Sequence, residues 1–270
     1  MKLTEKGDKQ LKFCSLYSGS SGNSQFIKAG NTRILVDAGL SGKKLQQAME
    51  CIGENPADIQ GIFITHEHID HIQSAGILSR RFNIPIYANE KTWIAMQPSI
   101  GEVKSENIRI YEDCVEIGDL FVQAFDVSHD AVKPVGYKIF NKNKKIALLT
   151  DTGCVSDAIE KHISDSDLLL IESNHDEDMV LVGSYPWPLK RRVLGELGHM
   201  SNDLAGRILS KILKKGSEIV LLGHLSKENN FPELAYKSVE GILNENNIFV
   251  KDGLVLDMTY RDKCSKLYEL

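Results

Sequence analysis

Apolar and polar positions along the chain follow two periods, and these place its elements. Short runs rich in β-branched and aromatic residues predict strands over 11–17, 25–29, 33–37, 61–65 and 84–88. Alternation of apolar with polar residues over 108–110, 115–117 and 120–125 is the period of antiparallel strands. The runs 135–140 and 145–149 flank Asn141-Lys142-Asn143-Lys144 as a hairpin, 167–171 reads as a buried strand, and 219–222 is the last clear core strand. Helical spacing lies between them. Ser41 is a candidate N-cap for a helix through about residue 51, and further helices are predicted over 72–81, 90–96, 188–195 and 231–243. Another, over 202–214 behind the N-cap Ser201, carries Leu204, Ile208, Leu209, Ile212 and Leu213 on one face. Two sets of strands with helices outside them predict an α/β chain folded as a four-layer αββα sandwich. No repeat, linker or low-complexity tract interrupts the pattern.

Composition narrows the class. At 270 residues the chain reads as a single domain over 1–270, with ordinary apolar (42%) and charged (26%) content. No apolar run approaches the roughly 20 residues of a membrane span, and the opening Met1-Lys2-Leu3-Thr4-Glu5-Lys6 lacks the apolar core of a signal peptide. Five cysteines, odd in number and without a C-x-x-C pair, fit a reducing compartment. A cytoplasmic protein is therefore expected, with Cys14 and Cys51 as small buried apolar residues. The net charge of −5 argues against holding nucleic acid through a broadly basic surface. Local clusters at Lys142/Lys144/Lys145, Lys190/Arg191/Arg192 and Lys214/Lys215 are either solvated faces or a track for a phosphate backbone.

The chemistry starts where the predicted strand 61–65 stops. Thr65-His66-Glu67-His68-Ile69-Asp70-His71 places three imidazoles and a carboxylate within six residues. His66 and His68, two apart in extended backbone, fall on one side and can grip one ion. Asp70 and His71 come as the chain turns into the next helix and can face a second. Imidazole and carboxylate without thiolate suit zinc, manganese or iron at an open site rather than a closed structural zinc. The bland alternative is a histidine-rich solvated loop. Asp37, at the end of its strand, either supports such ligands from behind or only terminates the strand. The turn Ser18-Gly19-Ser20-Ser21-Gly22-Asn23-Ser24 is either a tight connection between strands or a nest of exposed amides. If it lies beside the metals, Ser20, Ser21 and Asn23 are candidates to hold a terminal phosphate.

Thr65 to His71 matches the T-H-x-H-x-D-H signature of the metallo-β-lactamase fold hydrolases at every specified position, and the chain resembles that family along nearly its whole length. The resemblance implies a four-layer αββα sandwich of the metallo-β-lactamase type and a pair of divalent ions, zinc or manganese. It places His66, His68 and His129 on one ion and Asp70, His71 and His224 on the other, with Asp151 bridging. Aspartate at 151 is the choice of the phosphoesterase and thioesterase branches, which demotes a lactamase.

Two further resemblances narrow the branch. Glu172, His199-Met200-Ser201 and His224-Leu225-Ser226 resemble the ribonuclease Z type of transfer-RNA 3′-end endonuclease, which implies His199 as general acid and Glu172 as its orienter. Otherwise Glu172 caps a loop and His199 merely precedes a helix. The 22 residues from His129 to Asp151 are too few for the transfer-RNA arm of those enzymes, and the 73 from Asp151 to His224 too few for a β-CASP insertion. The turn 18–24 with Glu172-Ser173-Asn174, Gly198-His199-Met200-Ser201-Asn202 and His224-Leu225-Ser226-Lys227-Glu228-Asn229-Asn230 looks like the compact YycJ/WalJ-like subfamily. That resemblance implies a 5′-to-3′ DNA exonuclease, a dinuclear metal-dependent phosphodiesterase in which Asp70, His199 and Glu172 carry catalysis. The alternatives are an RNA-processing nuclease, a glyoxalase-II-type (thio)ester hydrolase and a non-catalytic metal-stabilised scaffold. Glyoxalase II carries a helical substrate domain after its last ligand, for which the 46 residues beyond His224 are too few.

Overall fold

Strand pairing divides the chain into two seven-stranded sheets. The computed structural model describes residues 10–214, 216–250 and 253–270; Met1 to Lys6 and Lys215 lie outside them. The first sheet takes β1 (Leu11–Tyr17), β2 (Ser24–Ala29), β3 (Thr32–Val36), β4 (Gly61–Phe63), β5 (Ile86–Ala88) and β6 (Ile108–Ile110). The second takes β7 (Cys114–Ile117), β8 (Leu120–Asp126), β9 (Val135–Asn141), β10 (Lys144–Leu149), β11 (Leu168–Glu172), β12 (Ile219–Gly223) and β13 (Val255–Met258). β14 (Tyr268–Glu269) returns to the free edge of β1, giving orders β14-β1-β2-β3-β4-β5-β6 and β13-β12-β11-β10-β9-β8-β7.

Each sheet begins as an antiparallel meander, β1 to β3 and β7 to β10, and continues with parallel strands. Parallel pairing needs crossovers, and these carry helices onto the outer faces. Strands covered on both sides are apolar throughout. In β11, Leu168 and Leu170 point between the sheets while Leu169 and Ile171 point at the helices. The layer between the sheets packs Phe13, Ile27, Ile34 and Phe63 against Tyr137, Leu148 and Leu221. Outside, Leu45, Met49, Leu78 and Met96 cover the first sheet, and Leu209, Ile212, Val239 and Leu243 cover the second. The result is the expected αββα sandwich.

Several elements differ from the sequence pattern, each for a local reason. The helix expected over 72–81 is two, Ile69–Ile72 and Ala75–Phe82, because the Ser74 amide and hydroxyl both donate to Ala38 O and break the helical course. The helix expected to end at 96 runs over Glu90–Ile100. Pro98 lacks the amide that would bond Ile94 O, and Ile94 lies on the exposed face of the helix. β6 pairs in parallel with β5 at the edge of the first sheet, so its alternation marks an edge strand rather than antiparallel pairing. β13 and β14 follow the strand expected to be last; they are short edge strands, and the first contains Asp257, whose carboxylate accepts from Tyr268 Oη at 2.8 Å. Helices Asp157–Ile163 and Glu177–Val182 were not signalled. All five cysteines are free; Cys14 is buried as expected, but Cys51 is exposed at the end of its helix.

Phe63 ends β4 one residue before the buried Ile64 and Thr65, stacks on Tyr87 with ring centroids 4.5 Å apart and meets Tyr137 edge-on at 5.9 Å. Tyr137 Oη in turn donates to Ile64 O at 2.6 Å, just ahead of the metal-loop residues. Phe63→Ala is therefore expected to lower unfolding free energy by about 3–5 kcal/mol, measured by chemical denaturation; a loss below about 1 kcal/mol would show that this layer does not hold the strand end in place.

Candidate metal centre

The parallel strands of both sheets deliver their carboxyl ends to one edge of the sandwich, where open α/β sheets gather ligands. Asp37 follows β3, the Thr65–His71 loop follows β4, Asp151 follows β10, Glu172 ends β11 and His224 follows β12. Asp37, Asp151 and His224 all adopt left-handed backbone, with φ of 62°, 53° and 54°. Such conformations are strained for non-glycine residues and persist where the surroundings fix them.

Among the described residues, four groups of possible ligands each draw together within 4.8 Å: His66, His68 and His129; Asp70, His71 and His224; His66, His71 and Asp151; and Asp151, Glu172, His199 and His224. His66 Nε2 lies 3.0 Å and His129 Nε2 3.3 Å from His68 Nδ1. His71 Nε2 stands 3.6 Å from Asp70 Oδ2 and 3.4 Å from Asp151 Oδ2, and His224 Nε2 stands 3.8 Å and 3.4 Å from Asp70 Oδ2 and Asp151 Oδ1. Two ligands about 2.1 Å from a shared tetrahedral ion stand about 3.4 Å apart, so these separations suit metal coordination. Asp151 Oδ2 and His224 Nε2 are buried without a hydrogen bond. Buried atoms of this kind are costly unless something binds them, and a cation between them fits.

The far side of four of these imidazoles is held, which fixes the nitrogen left for an ion. His71 Nδ1 donates to Asp37 Oδ2 at 2.7 Å, and the Thr65 amide and hydroxyl both donate to the same carboxylate. His66 Nδ1 donates to Thr65 Oγ1 at 3.0 Å, and His129 Nδ1 to Gly198 O at 3.0 Å. His224 Nδ1 donates to Glu172 Oε1 at 2.8 Å. Asp37 is thus a support of the ligands, the first of its two sequence readings.

Charge follows this packing. Burial disfavours charge on His71, but Asp151, Asp37 and Asp70 outweigh it and hold the imidazole up at about 9. His224 is pushed up in the same way, against burial, by Asp151, Asp70 and Glu172. Burial and the surrounding imidazoles hold His66 well below the usual histidine range, and burial lowers His129 against the pull of Asp151. Burial would raise Asp70, yet His71 and His224 hold it well below the usual carboxylate range.

Glu172 is fully buried and does more than the sequence indicated. Its Oε1 accepts from both His224 Nδ1 and His199 Nδ1, the latter at 2.7 Å, while Oε2 accepts the amides of Thr152 and Met200. Against burial, His199 and His224 hold its carboxyl well below the ordinary range. His199, opposed by burial, is raised chiefly by Glu172. Its side chain keeps 20% of its exposure where the His66, His71, His129 and His224 side chains keep 2% or less, so with the half-buried His68 it is turned toward the open side.

The turn 18–24 lies against this centre. Asn23 Nδ2 is 3.1 Å from His71 Nε2, and the Asn23 amide donates to Asp70 O at 2.8 Å. Asn23 Oδ1 accepts from the Gly19 amide, so its side chain closes the turn and buttresses the loop instead of standing free for a phosphate. Ser20 and Ser21 are exposed and make no hydrogen bond to the described residues. The expected basic tracks are partly engaged elsewhere: Lys190 is buried with Nζ donating to Leu181 O, Arg192 pairs with Asp130, and Lys144 with Asp167. His175 was passed over in the sequence; it is buried, and burial, only partly opposed by Glu172, draws it down to about 4.

Comparison with known proteins agrees with this geometry. Residues 32–224 match the beta-lactamase superfamily domain. The chain is 41% identical over 251 residues to exodeoxyribonuclease YycJ of Bacillus anthracis, covering 92% of this chain and 95% of that protein. It is 41% identical over 264 residues to exodeoxyribonuclease WalJ of Streptococcus pneumoniae, covering 96% and 98%. Among solved structures, the metallo-beta-lactamase fold protein YhfI from Bacillus subtilis shares the fold, with a TM-score of 0.73 at 16% identity over 97% of this chain and 100% of that one. No helix among the described residues is long and apolar enough to cross a membrane.

Removing the acceptor behind His71 should loosen the ion it faces. Asp37→Ala is expected to weaken divalent-metal binding about 10–100-fold, read by calorimetric titration with zinc or manganese at constant circular dichroism. Unchanged affinity would mean that Asp37 serves the strand end alone.

Proposed function

This chain belongs to the beta-lactamase superfamily, and from that premise we propose that it is a dinuclear metal-dependent exodeoxyribonuclease working from the 5′ end of DNA. The observation that carries the reading is 41% identity to exodeoxyribonucleases over nearly the whole chain. The buried histidine and aspartate clusters, typical of a dinuclear centre of this fold, supply the matching chemistry.

In this reading His66, His68 and His129 would hold one divalent ion and Asp70, His71 and His224 the other, with Asp151 a ligand available to both. Zinc and manganese both suit this nitrogen and oxygen set. When bound, the ions supply a water of lowered pKa and neutralise charge on the phosphodiester. Two divalent ions also make the site locally positive despite the net charge of −5. His199 donates a proton to the leaving oxygen: Glu172 holds its Nδ1 and favours the imidazolium, and its other ring nitrogen makes no hydrogen bond to the described residues. The same carboxylate orients His224, so Glu172 couples the proton donor to the metal centre.

Among the described residues, the chain between His129 and Asp151 is taken up by the β9–β10 hairpin, and between Asp151 and His224 by β11, β12 and four helices of the outer layer. Neither interval forms an arm or an inserted domain, which supports reading 1–270 as a single domain without a β-CASP insertion. An open site of this kind is reached more easily by a strand end than by the middle of a rigid duplex, which favours exonuclease action. A cytoplasmic location accords with a DNA substrate.

The manganese-loaded protein is expected to release mononucleotides early from 5′-labelled DNA, with Asp70→Ala inactive. Internal cuts, release from the 3′ end or exclusive action on RNA would contradict the assignment. His199→Ala should lower turnover about 10²–10⁴-fold with metal content unchanged. Glu172→Gln should lower turnover and metal affinity together, because it also holds His224. Equal metal affinity in wild type and Glu172→Gln would refute that double role.

A further inference from the structure

A cavity of about 320 Å³ opens at the same edge of the sandwich, beyond the ends of β12 and β13. Ser18, Ser226, Asn230, Phe231, Tyr260 and Arg261 are among its walls. Its wall is continuous with the metal centre: the His224 amide donates to Ser18 Oγ at 2.8 Å, and Ser226 follows His224 by two residues. Arg261 packs against the turn 18–24, where a Cβ on Gly19 would lie 3.2 Å from its Nε. The same turn presents Asn23 to His71, so one turn of chain separates Arg261 from the second ligand group.

Arg261 is anchored but not satisfied. Nη2 donates to Leu225 O at 2.8 Å, while Nε is buried with no acceptor. The helix Pro232–Glu245 also begins at this cavity, and its N-cap residue Phe231 gives no side-chain cap, so the positive end of the helix adds to the guanidinium. Asp262, the lining carboxylate, stands exposed in solvent. The aromatic surface is Phe231, whose side chain is 48% exposed, whereas the Tyr260 ring is covered by Lys263 Nζ at 4.1 Å.

We propose that this cavity is the subsite for the terminal nucleotide of the DNA strand, with Arg261 taking the terminal 5′-phosphate and Phe231 giving the base a stacking surface. The proposal rests on the exonuclease reading and deepens it. A strand whose scissile phosphate lies at the ions must house its terminal nucleotide beside them. A terminal monoester carries close to one more negative charge than an internal diester, and that charge is what a half-buried guanidinium with its Nε left unpaired distinguishes.

The test compares kcat/KM on otherwise identical 5′-phosphorylated and 5′-hydroxyl DNA. Wild type should prefer the phosphorylated end, and Arg261→Ala should reduce that ratio roughly tenfold or more, the scale of a lost charge-assisted contact; Arg261→Lys should retain part of it. Disturbance of the His224 loop by the substitution would lower both substrates and leave the ratio intact, so the ratio isolates the phosphate contact. A wild type without end preference, or a ratio unchanged in Arg261→Ala, overturns the assignment. In a readout without turnover, a 5′-phosphorylated dinucleotide should bind metal-free wild type more tightly than metal-free Arg261→Ala, and equal affinities count against the subsite. Absence of any release from 5′ ends by wild type would instead defeat the exonuclease reading itself, and this subsite with it.

Discussion

Carboxylates and imidazoles are expensive to bury, and this chain buries Asp37, Asp151, Glu172, His66, His71, His129 and His224 at one edge of its sandwich. Charges so placed need partners with correct geometry. Each imidazole gives its outer nitrogen to a fixed acceptor: Asp37 for His71, Thr65 for His66, Gly198 O for His129 and Glu172 for His224. Pointing inward, Asp151 Oδ2 and His224 Nε2 are left buried without hydrogen bonds, atoms that a divalent cation between them satisfies.

That requirement reaches well into the backbone. Left-handed residues at the ends of β3, β10 and β12 turn Asp37, Asp151 and His224 sharply out of their strands. Gly39 sits so close to the metal loop that a Cβ would fall 1.6 Å from Asp70 O, while the amides of Asn23 and Ala38 take the carbonyls of Asp70 and His71. The loop is therefore clamped by its carbonyls beneath and by imidazole partners at its sides. Such double restraint is what a site needs if its ligands are to be held near productive positions.

The sequence was most legible where chemistry is local. Thr65 to His71 supplies four candidate ligand side chains within six residues after an apolar strand, and both the strand and the candidate site could be read from that stretch. His129, Asp151 and His224 lie 58, 80 and 153 residues beyond His71, and nothing in their own neighbourhoods distinguishes them from other strand-end residues; resemblance to a family brought them in, and the structure now places them together. Asp37 stayed undecided because its role depends on a contact with His71, 34 residues away. The sharing of Glu172 between His199 and His224 was invisible for the same reason. The engagement of the Asn23 side chain with Gly19 and His71 was illegible because turn composition shows that amides are available, not which groups they meet. The edge strands β13 and β14 escaped because they are short and lack a long apolar run.

The idea on which the rest depends is that these strand ends hold two ions side by side with Asp151 between them. Electron paramagnetic resonance of the protein titrated with manganese reports on that arrangement directly. At two equivalents the expected spectrum is that of an exchange-coupled ion pair, with the coupling lost in Asp151→Asn. A spectrum of isolated manganese at every loading, or coupling that survives Asp151→Asn unchanged, would contradict it.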